Sequence, residues 1–532
     1  MEFDYIVVGG GSAGCIVAAE LCTSPGVSVL LLECGDRAEQ NPETLTADGY
    51  KKAFLNERLM FERFSTPQRG CGGRRMFMGS GRTIGGSGAI NATVYTRGAR
   101  ADYDEWPEGW RWRDIERDFE ALEGTLRVRR REPTAFTEMC IEASEAAGFR
   151  RKEDLNDGDL SGVLGYEWMS YEGADRRSSF VAFLRERVGL PNLTIVSNAR
   201  AHRILLRDQR AVGVEYRDGD ALATATARRE IILCAGALET PRLLMLSGIG
   251  SLAALRGAGI PALIEAPGIG ENLHDHPNVQ LFFFGKRAVD CNYPQLYGFH
   301  RAAPRRDLAP RQSDSCYVFY PARSSLREGV LKLLPGIALP RALYEAPGVV
   351  PAMRAGLARA FDVGALQRLV ERIWGVVVIL GKPKSRGTLR VVSPRPEAPA
   401  EIDPAYLTDP EDIETMVRGV ELARRIASST PAQRFGSLEA LPGSRVATRD
   451  AIEHFVRQNA MTTYHYAGTC RMGSTPESVV DARLAVRRVK RLRIADASVI
   501  PTTPVAALNA PSMLIGYRAA RFIREDALRA DA

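Results

Sequence analysis

A glycine-rich turn held between a strand and a helix constrains this chain more than any other feature. Tyr5 to Val8 reads as a short buried strand, Gly9-Gly10-Gly11-Ser12-Ala13-Gly14 as a turn, and Ala13 to Leu21 as a helix ending near Pro25-Gly26. A second buried strand, Val27 to Leu32, runs into Glu33. Strand, crossover helix and strand in immediate succession imply a doubly wound parallel α/β sheet. In the spacing Gly9-x-Gly11-x-x-Gly14 the first glycine permits the tight turn. The second lets the backbone approach a pyrophosphate, and the third lets helix pack closely on strand. The helix N-terminus, opening at Ser12 and Ala13, presents N–H groups and a positive dipole end to phosphates. Glu33, 19 residues after Gly14, is placed to take both ribose hydroxyls and would repel a 2′-phosphate. Gly-x-Gly-x-x-Gly alone is weak evidence; between strand and helix, with the acid following, it predicts dinucleotide binding.

The rest of the chain must supply more than this unit. At 532 residues it exceeds one core of about 100–200 residues, so two or more domains are expected. Hydrophobic residues at 45% and charged residues at 25% exclude a wholly disordered or fibrous chain. No uncharged apolar run reaches the ~18 residues of a membrane span, and Met1-Glu2-Phe3-Asp4 leads straight into a strand pattern. No secretory signal is read there, and a cytoplasmic location is expected. A net charge of +7 spread this widely is no nucleic-acid footprint. The basic runs at Arg129–Arg131 and Arg487–Arg493 read as solvated loop or strand-edge charge. Nine cysteines without a C-x-x-C make neither a disulfide framework nor a zinc site, and a reducing compartment fits.

Further along, a Trp-rich charged stretch from Asp102 to about Leu126 reads as helical. Residues 192–235 alternate as strands with turns at Asp208-Gln209 and Asp218-Gly219, ending in an apolar strand through Cys234-Ala235-Gly236. Residues 280–330 are strand-like and aromatic. Residues 331–373 have helical spacing, broken by Pro335, Pro340, Pro347 and Pro351. Gly375 to Leu380 is a strand, 411–427 an amphipathic helix, and the tail from Leu492 holds a strand, a Pro-rich loop and a helix from about Ser512 to Leu528. Two segments beyond the opening turn suit close backbone approach to a flat ring: Gly81-Arg82-Thr83-Ile84-Gly85-Gly86-Ser87-Gly88-Ala89-Ile90-Asn91 and the strand end at Ala235-Gly236. A simple NAD dehydrogenase requires neither, so the dinucleotide is expected to be FAD.

At these residues the chain resembles the glucose–methanol–choline (GMC) oxidoreductases, FAD enzymes that oxidise alcohols to carbonyls. The resemblance covers nearly the whole chain. It rests on the N-terminal fingerprint, on Gly81–Asn91 continuing through Ala92-Thr93-Val94-Tyr95-Thr96-Arg97-Gly98, and on Gly236-Ala237-Leu238-Glu239-Thr240-Pro241 through Gly250. Pro267–Pro277 and two C-terminal blocks support it. The resemblance implies α/β plus α+β architecture: a Rossmann-type FAD-binding domain assembled from separated segments (1–130, 190–280 and 461–532), and a substrate-binding domain of mostly antiparallel sheet flanked by helices (131–189 and 281–460). It implies cofactor contacts from Gly9, Gly11, Ser12, Ala13, Gly14, Glu33, Arg82, Gly85, Gly86, Ser87, Asn91, Ala92, Val94, Ala201, Ala235, Gly236, Asp496, Ala497, Asn509, Pro511 and Ser512. Some members attach FAD covalently through a histidine; the matching position here is Asn91, so non-covalent FAD is expected.

Alcohol oxidation needs a base at the carbinol oxygen, and histidine is best matched to neutral pH. Of six histidines, His465 lies in Thr463-Tyr464-His465-Tyr466-Ala467-Gly468-Thr469, which resembles the family's catalytic block. A lone loop histidine is more often structural; the motif reverses that preference. The second active-site position, histidine or asparagine in the family, is matched by Asn509 in Ala507-Leu508-Asn509-Ala510-Pro511, whose amide can stabilise alkoxide character. His274 and His276 flank Asp275 without a third metal ligand, so no metal is expected, and they read as shaping the flavin pocket. Asn278 stands where choline-oxidising members carry an acid, which argues against a quaternary amine. Glu239 reads as structural. The 331–373 insert reads first as core and lid of the substrate domain; a hydrophobic funnel, a partner contact or a peripheral membrane contact stays open. All favour a substrate less polar than a sugar. Lyase or light-driven decarboxylase chemistry on the same fold, and a non-catalytic flavin-binding protein, stay open beside the alcohol reading. The electron acceptor is O₂ or an unidentified carrier, and the oligomeric state is undetermined.

Overall fold

The computed structural model describes residues 1–531. Its first sheet has seven strands and grows from the opening strand, Glu2–Val8. That strand is flanked in parallel by Val29–Leu32 on one side and by Ala221–Leu233 on the other. Leu193–Val196 extends the first edge, and Leu492–Ile494 pairs with Ala221–Leu233. Ala221–Leu233 serves two partners along its length: its second half completes the parallel layer, while its first half turns back antiparallel on Arg210–Asp218, which pairs with Ala199–Arg207. The predicted turns close both hairpins, with Asp208 and Gln209 at positive φ in one and Gly219 in the other. The Val/Ile/Leu runs Ile6–Val8 and Val29–Leu32 are wholly buried because both faces are covered. The helix Ser12–Leu21 is buried almost all round and packs on the helix Asn509–Asp531.

The second sheet has eight strands. Its long members run in the order Pro277–Phe284, Ile373–Leu380, Ser315–Pro321, Leu296–His300 and Val163–Tyr166, all antiparallel. Period-two alternation divides its faces. Val376, Val378 and Leu380 are buried on one side, where the helix Pro410–Ser428 packs so closely that a Cβ on Gly419 would strike Val378. Gln280, Val377, Ile379 and Val318 point the other way and wall a cavity between the two sheets.

Three sequence expectations are corrected. The Asp102–Leu126 stretch forms two helices, Arg100–Asp104 and Trp112–Leu126, because Pro107 lacks an N–H and Gly109 turns the chain at φ +84°. The strand region 280–330 ends at Pro321, and Leu326 already starts a helix. The last helix begins at Asn509, three residues early, since Pro511 falls in a first turn, where its missing donor costs nothing. The 331–373 segment is helical, over Leu326–Ala338, Arg341–Tyr344, Val349–Phe361 and Gly364–Val370, and Ile373 belongs to the following strand. Lys332 ion-pairs with Glu62, and Arg354 with Glu57, tying these helices to the segment that precedes the glycine-rich loop. No helix among the described residues is long and apolar enough to cross a membrane.

Candidate active site

The cavity has a volume of about 800 Å³ and runs from Gly11 and Glu33 to His465. Of the cofactor candidates, all line it except Gly14, Arg82, Gly85 and Pro511. These four stand behind it. A Cβ on Gly14 would strike the Gly9 carbonyl, so this glycine lets helix and strand touch. Gly85, at φ +88°, donates its N–H to Gly10 O at 2.7 Å and so fixes one glycine loop on the other. Arg82 donates to Arg58 O and lies over the Phe61 ring. Pro511 shapes the helix start. At Gly11 the situation differs: a Cβ would meet nothing closer than 3.9 Å. The protein leaves this space open in front of a helix N-terminus, which fits a pyrophosphate. Glu33 accepts from Gly10 N–H and Gly35 N–H, each at 2.8 Å, and burial raises its pKa.

At the other end, His465 and Asn509 face the same space from separate segments. Asp275 holds the His465 backbone. This buried carboxylate accepts from His465 N–H at 2.7 Å, from Thr462 Oγ1 at 2.5 Å and from the Tyr406 hydroxyl. Tyr464, just before His465, takes φ +64°, and its N–H is caught by Thr462 Oγ1 at 2.7 Å. The ring of His465 meets that of His276, Nδ1 to Nδ1, at 3.0 Å. This leaves Nε2 as the nitrogen for a ligand. Burial lowers the pKa of His465 to about 4. It also lowers that of His276 well below the usual histidine range, with His465, His274 and Lys382 adding to the effect. Asn509 Oδ1 accepts from Ser12 Oγ at 2.9 Å, which turns its amide N–H₂ free as a donor.

The residues 3–278 match the N-terminal GMC oxidoreductase family model and 383–516 the C-terminal one. The chain belongs to the GMC oxidoreductase family. It is 32% identical to an alcohol dehydrogenase [acceptor] of Pseudomonas putida, over 98% of this chain and 95% of that one. It is 31% identical to an oxygen-dependent choline dehydrogenase of Vibrio vulnificus, over 98% and 94%. Among solved structures, pyridoxine 4-oxidase from Mesorbium loti superposes with a TM-score of 0.83 at 27% identity, covering 98% of each chain.

Three features of this GMC oxidoreductase are not signalled by its sequence. The His276–His465 contact is one, since sequence pattern assigns His276 only to the shape of the pocket. The Asp275 clamp is another, although Asp275 lies between His274 and His276. The third is Arg176, which is wholly buried. It donates to Gly88 O at 3.1 Å, to Asn91 Oδ1 at 2.8 Å and to Asn91 O at 2.6 Å, so a cation bound to neutral acceptors holds the glycine-rich loop. Burial lowers its pKa to about 9. Replacing Arg176 with methionine takes the donor from Gly88 O and Asn91 O, at about 1–3 kcal/mol each, while Asn91 Oδ1 keeps the Thr93 N–H at 2.9 Å. The expected result is a fall of several degrees in the thermal midpoint of the holoprotein, and an unchanged midpoint would refute the anchoring role. Glu239 pairs with Arg63 at 2.7 Å and Arg242 at 3.1 Å, in keeping with a structural reading. Asn278 spends its amide N–H₂ on Met461 O and Thr462 O. The insert contributes Leu333 and Leu334 to the cavity wall, and Ile337, 65% exposed, stands at its rim.

Proposed function

We propose that this enzyme oxidises a primary or secondary alcohol to the carbonyl, with FAD as its non-covalently held cofactor and His465 as the base. When bound, FAD supplies the acceptor for hydride from the carbinol carbon. His465 Nε2 takes the hydroxyl proton, which requires its other proton to sit on Nδ1 and be donated to His276 Nδ1. His276 then carries its own proton on Nε2, which is buried without a hydrogen-bond partner among the described residues, and the Gly381 backbone is the one neighbour that favours a proton on that ring. The Asn509 amide donates to the carbinol oxygen as it gains negative charge. The carrying observation is that His465 and Asn509 line one cavity, the first clamped by Asp275 and the second oriented by Ser12. Gly11, Glu33, Ser87, Ala235 and Asp496 would hold the cofactor within 1–130, 190–280 and 461–532. The substrate wall is largely apolar, through Leu296, Val318, Val377 and Ile379, which supports a substrate less polar than a sugar. The electron acceptor is O₂ or a carrier.

Anaerobic bleaching of the flavin by a panel of alcohols tests the reading, since lyase or decarboxylase chemistry leaves the flavin oxidised. Acid precipitation tests the attachment. Asn91 offers no ring nitrogen for a covalent link, so all flavin is expected in the supernatant as free FAD. Yellow colour retained in the pellet would overturn that part.

A further inference from the structure

Five carboxylates line the cavity: Glu33, Glu167, Glu239, Glu328 and Asp496. Four have partners suited to a charged acid. Glu33 accepts two backbone N–H groups, and Glu239 pairs with Arg63 and Arg242. Asp496 accepts from Gly236 N–H, Thr240 Oγ1 and Ser498 N–H, and Glu328 lies 3.7 Å from Arg327. Glu167 is the exception. It is 1% exposed, its Oε1 accepts from Thr96 Oγ1, and its Oε2 is buried with no hydrogen-bond partner among the described residues. Burial raises its pKa well above the carboxylate range, with no cation among the described residues offsetting the effect. Such surroundings favour the neutral, protonated form over the charged one.

Thr96 Oγ1 satisfies Oε1, and a hydroxyl can donate to that oxygen or accept from it. Oε2 is left as a buried carboxyl oxygen without a partner, whether or not it carries the hydrogen, and leaving a buried polar group unpaired is costly. Leu296, Val318 and Ile379, which share its cavity wall, offer none, and the Tyr297 hydroxyl in that wall is engaged with Cys316. Glu167 follows directly on the second sheet's Val163–Tyr166 strand, whereas His465 contacts the opposite part of that sheet, beside Pro277–Phe284. The two groups therefore address different parts of one ligand.

We infer that Glu167 is a specificity residue for the body of the substrate, and that the alcohol oxidised here carries a basic nitrogen, an amine or a ring nitrogen, remote from its carbinol, which shares a proton with Glu167: a neutral ring nitrogen accepts it from the carboxyl, and an ammonium donates to the carboxylate. Nitrogen is a better acceptor than an ether or hydroxyl oxygen, and a proton shared with it becomes a charge-assisted bond. This rests on the alcohol-oxidation reading for the role of the ligand, but not for its binding.

The test compares 2-, 3- and 4-pyridinemethanol with benzyl alcohol, which has the same shape and lacks only the nitrogen. Binding to the oxidised holoenzyme is read by calorimetry, and flavin bleaching is read separately without air. At least one pyridinemethanol isomer is expected to bind about 10–100-fold more tightly than benzyl alcohol, the range of one charge-assisted hydrogen bond. In Glu167→Leu that ratio is expected to collapse to within about threefold of unity. Glu167→Gln, which keeps the shape and an N–H donor, is expected to retain an intermediate ratio and serves if the leucine variant loses FAD. Equal binding of all four alcohols to the wild type, or an undiminished ratio in both variants, would overturn the inference. If no alcohol bleaches the flavin, the oxidation reading fails, and the binding ratio still decides the role of Glu167.

Discussion

His465→Ala is expected to slow anaerobic flavin reduction by about 10²–10⁴-fold, the worth of a positioned general base, while FAD stays bound. Hydride leaves the carbinol carbon readily only as the oxygen loses its proton, and without Nε2 that proton has no nearby acceptor. The pH profiles should differ in form. Burial holds the pKa of His465 at about 4, so the neutral base persists through the neutral range. The wild-type rate is therefore expected to stay level as pH falls toward 5, and to be halved near pH 4, where the imidazole takes a proton and can no longer accept one. The alanine variant should instead gain rate as pH rises, because alkoxide from solution replaces the missing step. Asn509→Ala removes one donor and leaves the base in place, so a smaller loss, on the order of tenfold, is expected. Wild-type flavin reduction by the His465 variant with a verified substrate would exclude this base. His276, whose ring stands directly behind it, would be the next to replace.

The second large effect is expected at the far end of the cavity. Glu33→Ala should weaken FAD binding by about 10–150-fold, corresponding to the 1.5–3 kcal/mol of a charge-assisted hydrogen bond. The carboxylate also joins the two loops on either side of it, through Gly10 N–H and Gly35 N–H. Alanine therefore frees two backbone donors as well as the ribose contact. Glu33→Gln keeps one acceptor oxygen, enough for only one of these two N–H groups, and removes the charge, so its loss of affinity is expected to be smaller than that of alanine. The flanking strands keep their ladders in both variants, so circular dichroism should change little while flavin is lost on gel filtration. Full FAD retention by both variants after extensive dialysis would show that Glu33 does not hold the ribose.

What is legible in the sequence is local or signalled by motif. The opening turn, the hairpins at Asp208-Gln209 and Asp218-Gly219, and the strand runs follow from backbone conformation and period-two burial, which neighbouring residues determine among themselves. The elements whose bounds differ from expectation are also local but balanced. Pro107 and Gly109 interrupt an otherwise helical pattern, and Pro511 suggests a late helix start although a first turn accepts it. The candidate site is legible at His465 and Asn509 only because their blocks are distinctive. Its supporting contacts are not. Asp275 reaches His465 across 190 residues, His276 across 189, Arg176 reaches Asn91 across 85, and Thr96 reaches Glu167 across 71. No periodicity encodes which buried polar group will meet which. Those pairings are fixed by the two sheets closing on one another, and single-residue composition carries no trace of them.

Ser12 and Asn509 touch across 497 residues of chain, and this separation has a consequence for biosynthesis. A ribosome adding about 5–20 residues per second makes Asn509 on the order of 25–100 s after Ser12. Throughout that interval the glycine turn and its first helix exist without the helix Asn509–Asp531 that packs on them, and the strand Ala221–Leu233 waits for Leu492–Ile494. The nascent protein thus holds an open, apolar groove over that interval, until the later segment closes over the earlier one. Flavin supply in the producing cell should accordingly govern yield after translation, through the fraction of finished chains that close around cofactor before they aggregate.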